Sequence, residues 1–258
     1  MFPRWLEKQV RLGALVVVSH SGGKDSQALL IRVMEIVPRD QILVVHADLH
    51  EVEWPGTMDA AREHAEKYGL PFLVARARDD EGRDKSFYDA VRGRKRAIVR
   101  MARELMEEAA QAKREGRTAD ADELVARARK KAAQPVIPGM QEKQRYCTSD
   151  LKVGPIQREA GRWAEAHGFH IIVEAVGVRS DESDGREGAF PLILNRDKSL
   201  DGEGRKARRN WYKLNAIQHL FTDSVKTPQP ELGVFAIIAA AGDRWHYAYD
   251  LGASRLSC

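Results

Sequence analysis

The chain contains few cysteines and no long apolar run. Only two of its 258 residues are cysteines, Cys147 and Cys258, which argues against a disulfide scaffold and directs attention to thiol chemistry or metal binding. No run approaches the roughly 20 apolar residues that a membrane-spanning helix needs, and the amino terminus lacks the apolar core of a signal peptide. We therefore expect a cytoplasmic protein without a membrane partner.

The composition is that of a soluble globular protein. Hydrophobic residues make up 43% of the chain and charged residues 31%, so the charged fraction lies slightly above the average for such proteins. No internal repeat or long low-complexity segment is present. A chain of this length can bury a full core, which favours one α/β domain with an appendage over two equal domains.

The strongest motif follows the apolar run of residues 14–18. Residues 19–26 read Ser-His-Ser-Gly-Gly-Lys-Asp-Ser and lead into a helical pattern. Glycines let backbone amides converge on an anion, the following helix adds the positive end of its dipole, and a lysine adds a full charge. Hydroxyls donate to phosphate, and the aspartate caps the helix or holds a metal or a nucleotide hydroxyl. The predicted polyphosphate-binding residues are Ser19, Ser21, Gly22, Gly23, Lys24, Asp25 and Ser26.

The spacing of the two glycines separates this loop from the mononucleotide P-loop. The pattern Gly-x-x-x-x-Gly-Lys-Ser/Thr needs a longer glycine spacing than Gly22 and Gly23 provide. A tight connection between a strand and a capped helix is the alternative interpretation of the same residues.

Strand and helix patterns alternate along the chain. Apolar runs at residues 41–47, 70–75 and 170–178 predict buried parallel strands, and residues 57–68 and 154–167 predict helices. The order favours an α/β fold with an open, mostly parallel, doubly wound sheet that binds its ligand at the carboxyl ends of the strands. Residues 19–26, 48–54 and 179–183 would then face one crevice, with Asp48 near a ribose or a metal, unless residues 46–57 are an ordinary polar loop.

Three blocks carry a resemblance to a known family. The loop at residues 21–26 matches the Ser-Gly-Gly-x-Asp-Ser motif of the ATP pyrophosphatase (PP-loop, adenine nucleotide alpha hydrolase-like) group. Residues 145–152, Arg-Tyr-Cys-Thr-Ser-Asp-Leu-Lys, and residues 177–186, Gly-Val-Arg-Ser-Asp-Glu-Ser-Asp-Gly-Arg, resemble blocks of phosphoadenosine phosphosulfate (PAPS) reductase-like proteins. Relatives of this type include components of DNA phosphorothioation.

The resemblance implies roles for individual residues. Arg145 and Lys152 supply charge for phosphate, and Arg179 and Arg186 neutralise the departing phosphates while Glu182 fixes an arginine or a magnesium ion. Cys147 follows Arg145 closely and lies near a helix start, and both features would favour its thiolate form. The cysteine would then be a sulfur carrier or a cluster ligand. The alternatives are that Cys147 is a small structural cysteine and that residues 177–186 form a solvated charged loop. The catalytic candidates are Lys24, Asp25, Arg179 and Cys147.

The carboxyl-terminal residues 249–258 resemble the start of a cysteine motif that continues to a second cysteine in relatives. Here the sequence stops at Cys258. Cys147 and Cys258 are candidate iron–sulfur ligands if the native chain continues beyond that residue, and Asp25 is a candidate Mg²⁺ ligand. A disulfide between the two cysteines is a further alternative.

The appendage is a predicted helical hairpin, residues 87–134, inserted between residues 1–86 and 135–258 of the nucleotide-binding domain. It holds 13 Lys/Arg against 8 Asp/Glu, a net charge of +5 compared with +4 for the whole chain. A surface of this kind binds a nucleic-acid backbone, binds an acidic partner, or contacts only solvent. The cluster consists of Arg92, Arg94, Lys95, Arg96, Arg127, Arg129, Lys130 and Lys131.

Together these features predict an ATP pyrophosphatase. With magnesium it would cleave ATP between the α and β phosphates and activate an acceptor for sulfur transfer, with DNA phosphorothioate modification as the pathway. The expected partners are ATP, a cysteine desulfurase or another sulfur donor, DNA, and a second copy of the chain. Three alternatives stay open: a sulfonucleotide reductase that uses PAPS or its unphosphorylated analogue, a transfer RNA-thiolating enzyme, and a non-catalytic nucleotide-sensing subunit.

Overall fold

The structure, a computed structural model, describes residues 4–136, 148–177, 192–194, 210–215 and 230–256. The chain forms two compact units. The first contains Met1–Arg76 and Lys152–Cys258, and the second contains Ala77–Leu151. The predicted hairpin, residues 87–134, lies inside the second unit.

The strands and helices follow the alternating patterns of the sequence. The strands are β1 (Leu15–Ser19), β2 (Ile42–Ala47), β3 (Phe72–Ala75), β4 (Ile171–Val176), β5 (Leu192–Leu194) and β6 (Asn210–Asn215). The helices are α1 (Arg4–Arg11), α2 (Lys24–Met34), α3 (Thr57–Lys67), α4 (Phe87–Arg114), α5 (Thr118–Ala132), α6 (Gly154–Ala166) and α7 (Pro230–Ala240). In the described ranges, no helix combines the length and the apolar character that crossing a membrane would require.

The first unit is built on one six-stranded sheet with the order β3-β2-β1-β4-β6-β5. The first five strands of that order run parallel, and β5 pairs antiparallel with β6 at the edge. The predicted α/β fold with an open, mostly parallel sheet is confirmed. Strand β6 was not predicted, because Asn-Trp-Tyr-Lys-Leu-Asn mixes polar and apolar residues without the continuous apolar run of the central strands.

Both faces of the sheet are covered by helices. Val16 and Val18 of β1 point into a core formed with α1, α2 and α3. Leu15 and Val17 point into the opposite core, which α6 covers. Because successive side chains of a strand alternate between faces, a strand covered on both sides needs apolar residues at every position. This requirement explains the uninterrupted apolar runs of β1 and β2.

The order of the strands reverses direction at β1. From β1 the chain moves to β2 and β3 on one side, and it returns to β4 on the other side of β1. A crevice opens at the carboxyl ends of the strands where such a reversal occurs, and ligands of doubly wound sheets bind there. The residues at this point are Ser19 at the end of β1 and Val176 at the end of β4, which are register partners.

One acidic side chain is buried inside the sheet. Glu174 of β4 is only 1% exposed, and its Oε2 accepts hydrogen bonds from Gln157 Nε2 of α6 at 3.1 Å and from Trp211 Nε1 of β6 at 3.2 Å. A buried polar group is tolerated when its hydrogen bonds are satisfied. The carboxylate therefore joins a helix to two strands of the sheet.

The second unit contains the antiparallel pair α4 and α5. Helix α4 starts with a capping box, in which Ser86 Oγ accepts from the Asp89 amide at 3.1 Å and the Asp89 carboxylate accepts from the Ser86 amide at 3.1 Å. Small residues let the two helices approach closely. Their shared core consists of Ala109, Ala112, Ala121 and Leu124.

The acceptor role of Glu174 can be tested with two substitutions. We expect Glu174→Gln to change the free energy of unfolding little, because a glutamine oxygen still accepts from Gln157 and Trp211. Glu174→Leu leaves two buried donors without their acceptor and should cost about 1–3 kcal/mol. Urea denaturation measures both values. Equal losses in the two variants would contradict the role assigned to the acceptor oxygen.

Candidate functional site

The loop that connects β1 to α2, residues 19–26, is called here the phosphate loop. Its backbone is tightly packed. Gly22 has φ +71°, and a Cβ atom there would lie 2.3 Å from the Thr57 carbonyl oxygen. A Cβ atom on Gly23 would lie 2.8 Å from the Tyr249 hydroxyl. Gly22 therefore requires glycine for its conformation and for the close approach of a backbone oxygen, whereas a larger residue at position 23 would displace the Tyr249 hydroxyl.

Hydrogen bonds inside the phosphate loop maintain its curvature. The Ser21 amide donates to Ser26 Oγ at 3.1 Å, and Ser26 Oγ donates to the Gly23 carbonyl at 2.9 Å. No side chain caps α2 at Gly23. The predicted phosphate donor Ser26 thus has a structural role in this conformation, and in the first turn of α2 the Lys24 amide donates to the Tyr249 hydroxyl.

Ser19 ends β1 at the point where the strand order reverses. Its Oγ is buried and has no hydrogen-bond partner among the described residues. Unsatisfied buried hydroxyls are rare in folded proteins. A polar ligand in the crevice would supply the partner, in agreement with the predicted binding role of Ser19.

Lys24 is enclosed, not exposed to solvent. Its side chain is 3% exposed, and Nζ donates to the Ser254 carbonyl at 3.0 Å and lies 4.7 Å from the centre of the Tyr249 ring. The Lys24 amide donates to the Tyr249 hydroxyl at 3.1 Å. A phosphate that binds the ammonium group and this amide must compete with Tyr249 and Ser254.

These two contacts belong to a larger interface with residues 244–256, called here the C-terminal segment. The Arg244 carbonyl accepts from Gln27 Nε2 at 2.9 Å, and the Leu256 carbonyl accepts from the Trp54 amide at 3.1 Å. His246 Nε2 lies 3.0 Å from the Pro55 carbonyl. The sequence patterns did not predict that the C-terminal segment covers the phosphate loop, because no local signal links positions more than 200 residues apart.

The segment after β2 forms the other wall of the site. An open cavity of about 340 Å³ is lined by residues 51–55 together with Arg255 and Leu256. Asp48 accepts from the His50 amide at 2.8 Å and from Arg76 Nε at 2.9 Å. Burial disfavours the charged form of Asp48, but these bonds outweigh that effect and lower its pKa below the usual value. Asp48 is therefore a fixed carboxylate at the carboxyl end of β2.

Three buried histidines form a cluster that includes His20 of the phosphate loop. His20 Nδ1 accepts from the Gly22 amide at 3.0 Å, so the proton of neutral His20 lies on Nε2, which is 3.4 Å from His64 Nδ1. His46 Nδ1 lies 2.9 Å from the His20 carbonyl, and its Nε2 lies 3.3 Å from Glu53 Oε2. The motif contains His20, but the cluster unites three separate elements and was not predicted.

Burial controls the charge of two of these histidines. Desolvation, followed by the neighbouring His64 and His46, lowers the pKa of His20 well below 6.5. Desolvation also lowers the pKa of His64, although Asp243 and a hydrogen bond to the Arg244 backbone oppose the shift. His20 must be neutral at Nδ1 to accept the hydrogen bond from the Gly22 amide. The conformation of the phosphate loop therefore depends on the protonation state of His20.

The structure describes only part of the second and third sequence blocks. Lys152 is half-buried in the single π-helical turn Thr148–Val153 that precedes α6. Gly177 is described, and a Cβ atom there would lie 3.3 Å from the Ser26 amide nitrogen, so the start of the third block contacts α2. The predicted residues outside the described ranges are Arg145, Cys147, Arg179, Glu182, Arg186 and Cys258.

The candidates for metal binding among the described residues are Asp25 and Asp48. Asp25, at the first turn of α2, has a partly exposed side chain 3.9 Å from Lys24 Nζ. No group of three or more His, Cys, Asp or Glu side chains in the described part of the chain is arranged to hold a metal ion. Mg²⁺ uses one or two carboxylates together with substrate phosphates, so Asp25 fits this role.

The comparison with known families agrees with the motifs. A family model described as the phosphoadenosine phosphosulfate reductase domain matches residues 15–201. The match begins at the first residue of β1 and includes the phosphate loop. No curated protein matches the chain.

The packing at Gly22 predicts that replacing this glycine by alanine lowers the free energy of unfolding more than a similar change elsewhere. Gly13 also has a positive φ, +79°, but a Cβ atom there would meet nothing within 4 Å. Gly13→Ala should therefore cost only the backbone strain, about 1–2 kcal/mol. Gly22→Ala adds the clash with Thr57 and should cost about 2–5 kcal/mol. Chemical denaturation measures both; equal losses would show that Thr57 moves aside easily.

The histidine cluster predicts that acid destabilises the fold. Because the pKa values of His20 and His64 are lowered from 6.5 in the folded protein, the unfolded chain binds more protons below that pH. The free energy of unfolding should fall as the pH drops below 6.5, by up to about 1.4 kcal/mol per pH unit for each histidine. We expect His20→Gln to flatten this dependence in urea titrations between pH 7.5 and 5.

A matched control is His170→Gln, since His170 is exposed. This variant should retain the wild-type pH dependence. An unchanged slope in His20→Gln would contradict the assignment of the effect to the buried cluster.

Proposed function

Because the chain belongs to the phosphoadenosine phosphosulfate reductase domain family, we propose that it is an ATP pyrophosphatase that activates an acceptor for sulfur transfer. Membership indicates an enzyme of the adenine nucleotide alpha hydrolase-like kind, with a nucleotide-utilising, sulfur-related function. ATP as the nucleotide and DNA as the acceptor are the finer parts of the proposal.

The observation that carries the proposal is the position of the phosphate loop. It lies at the reversal of strand order, where doubly wound sheets bind nucleotides, and it brings Lys24, the unsatisfied Ser19 hydroxyl and the amino terminus of α2 to one place. Its two adjacent glycines do not form the longer loop that surrounds a mononucleotide triphosphate in kinases and GTPases. This arrangement suits a pyrophosphate group.

The proposed reaction proceeds by successive displacements. An acceptor oxygen attacks the α-phosphorus of ATP, the bond between that phosphorus and the α–β bridging oxygen breaks, and pyrophosphate leaves with the electron pair. The terminal sulfur of a persulfide on a desulfurase or another donor then attacks the adenylated acceptor, and AMP leaves with the electron pair. A second thiol of the donor breaks the resulting sulfur–sulfur bond, so that the sulfur stays on the acceptor and a disulfide forms on the donor. Lys24 and the loop amides stabilise the negative charge that develops on pyrophosphate, so the contribution of the protein is electrostatic and positional.

Stabilisation of this charge by Lys24 requires the C-terminal segment to move. Lys24 Nζ and the Lys24 amide are bound to Ser254 and Tyr249. In the proposed cycle, pyrophosphate replaces these protein acceptors, and the C-terminal segment shifts away from the loop as the nucleotide enters. Mg²⁺, held by Asp25 and the phosphates, would neutralise further charge on the leaving group.

A sulfonucleotide reductase is the second candidate, and the description of the matched family favours it. That reaction would use the same phosphate loop to bind a sulfonucleotide. A cysteine thiolate would attack its sulfur, the bond from sulfur to the phosphate oxygen would break and the nucleotide would leave, and a second thiol would then displace sulfite and form a disulfide. Cys147 and Cys258 are the thiols of the chain. The two candidates differ in their products, pyrophosphate in one case and sulfite in the other.

The product assays separate them. Wild-type protein incubated with ATP, Mg²⁺, duplex DNA and a sulfur donor should release pyrophosphate, and Lys24→Ala should lower the rate about 100-fold or more, as expected for loss of a group that stabilises developing charge. Lys8→Ala, which removes an exposed lysine of α1, is the matched control and should keep the wild-type rate.

Other results would overturn the proposal. Absence of pyrophosphate release by the wild type, or an unchanged rate in Lys24→Ala, contradicts an ATP pyrophosphatase. Sulfite release from PAPS or its unphosphorylated analogue would establish the reductase instead.

A further inference from the structure

The second unit carries an uneven distribution of charge that the nucleotide site does not use. Five cations of α4 recur at intervals of one to four residues and share one side of the helix, since each residue turns the helix by about 100°. All five are exposed. These residues, called here the basic stripe, are Arg92, Lys95, Arg96, Arg100 and Arg103.

The basic stripe is mostly uncompensated. Arg92 is paired with Asp89 at 3.1 Å, and Arg100 is paired with Glu104 at 3.7 Å. Within the described residues, Lys95, Arg96 and Arg103 make no salt bridge. The two existing pairs are exposed, and such pairs contribute little to stability. The stripe therefore holds charge that folding does not require.

The structure places three cations of α5 in a different cleft from the stripe. Arg127, Lys130 and Lys131 lie beside Glu104 and Glu108 in a different cleft. By the same helical rotation, Glu104 lies about 80–100° and Glu108 about 120–140° around α4 from Arg96 and Arg103. Most of the cluster that the sequence suggested thus divides between two clefts, with Arg129 beside Arg103 and Glu107 in a third. Between Arg92 and Arg103, α4 contains no acidic residue.

We infer that the basic stripe binds the phosphodiester backbone of duplex DNA. From Arg92 to Arg103 the stripe is about 17 Å long at 1.5 Å per residue, and one DNA strand presents about five phosphates over that length. Four of the five cations are arginines, whose planar guanidinium groups bind phosphate bidentately. A lipid surface fits less well, since membrane-binding helices also need a broad apolar face, and only Val99 lies among these cations.

This inference deepens the proposed function, because it names the surface that holds the acceptor DNA, and it rests on that function for the choice of DNA. Backbone contacts carry no base readout, so binding should be independent of sequence. Its affinity should fall steeply with salt, because each neutralised phosphate releases counterions.

Fluorescence anisotropy with a labelled duplex of about 20 base pairs tests the inference, since that length exceeds the stripe. For the wild type, the slope of log affinity against log salt should be about −3 to −5, corresponding to three to five phosphates. The triple variant R96Q/R100Q/R103Q should lose two to three units of that slope and on the order of 100-fold in affinity at 0.1 M salt.

The matched control is R127Q/K130Q/K131Q. It removes the same charge from the same unit, but from the cleft that contains Glu104 and Glu108. It should change affinity by no more than about 3-fold, because Glu104 and Glu108 in that cleft already offset much of the positive charge of these cations. Equal losses in both triple variants, or wild-type binding in the stripe variant, would overturn the inference, as would a wild type that binds an acidic protein or anionic vesicles but not DNA.

Calorimetric titration with ATP distinguishes failure of this inference from failure of the proposed function. The stripe variant should bind ATP as the wild type does, and Lys24→Ala should bind DNA as the wild type does. DNA binding through the stripe without pyrophosphate release would leave the inference standing and remove the proposed reaction. Pyrophosphate release with no contribution of the stripe to DNA binding would overturn the inference and leave the proposed reaction standing.

Discussion

The burial of β1 on both faces is the constraint on which the nucleotide site depends. Val16 and Val18 pack against α1, α2 and α3, and Leu15 and Val17 pack beneath α6. A strand enclosed in this way has a fixed position and direction, so the loop that follows Ser19 begins at a defined point. Because the strand order reverses at β1, that point is also where a crevice opens.

The phosphate loop meets this constraint with close packing. Gly22 lies against Thr57, Gly23 lies against Tyr249, and the Gly22 amide is bound to His20 beneath it. Thr57 and Tyr249 come from other parts of the fold, whereas His20 belongs to the loop, so the loop is held by tertiary contacts as well as by its own hydrogen bonds. Lys24 illustrates the consequence, because its charge is directed into the protein toward Ser254 and Tyr249 and must be redirected for phosphate.

The second unit follows a different principle. Small residues bring α4 and α5 together through a narrow core, which leaves the rest of each helix exposed. The sequence alone shows an excess of positive charge there, but the helical rotation decides which cations share a side. Arg96 and Arg103 line one cleft, while Glu104 and Glu108 lie with Lys130 and Lys131 in another.

The sequence by itself determined the central strands, the helices between them and the phosphate loop, because buried parallel strands need continuous apolar runs and the loop motif is local. It did not determine β6, whose mixed residues carry no periodic signal, or the buried Glu174, whose partners lie on α6 and β6. Only the tertiary structure decided that Tyr249 and Ser254 bind Lys24 and that His20, His46 and His64 form one cluster. The physical reason is that these contacts join residues far apart in the chain, and their energies depend on burial and distance, which no local pattern records.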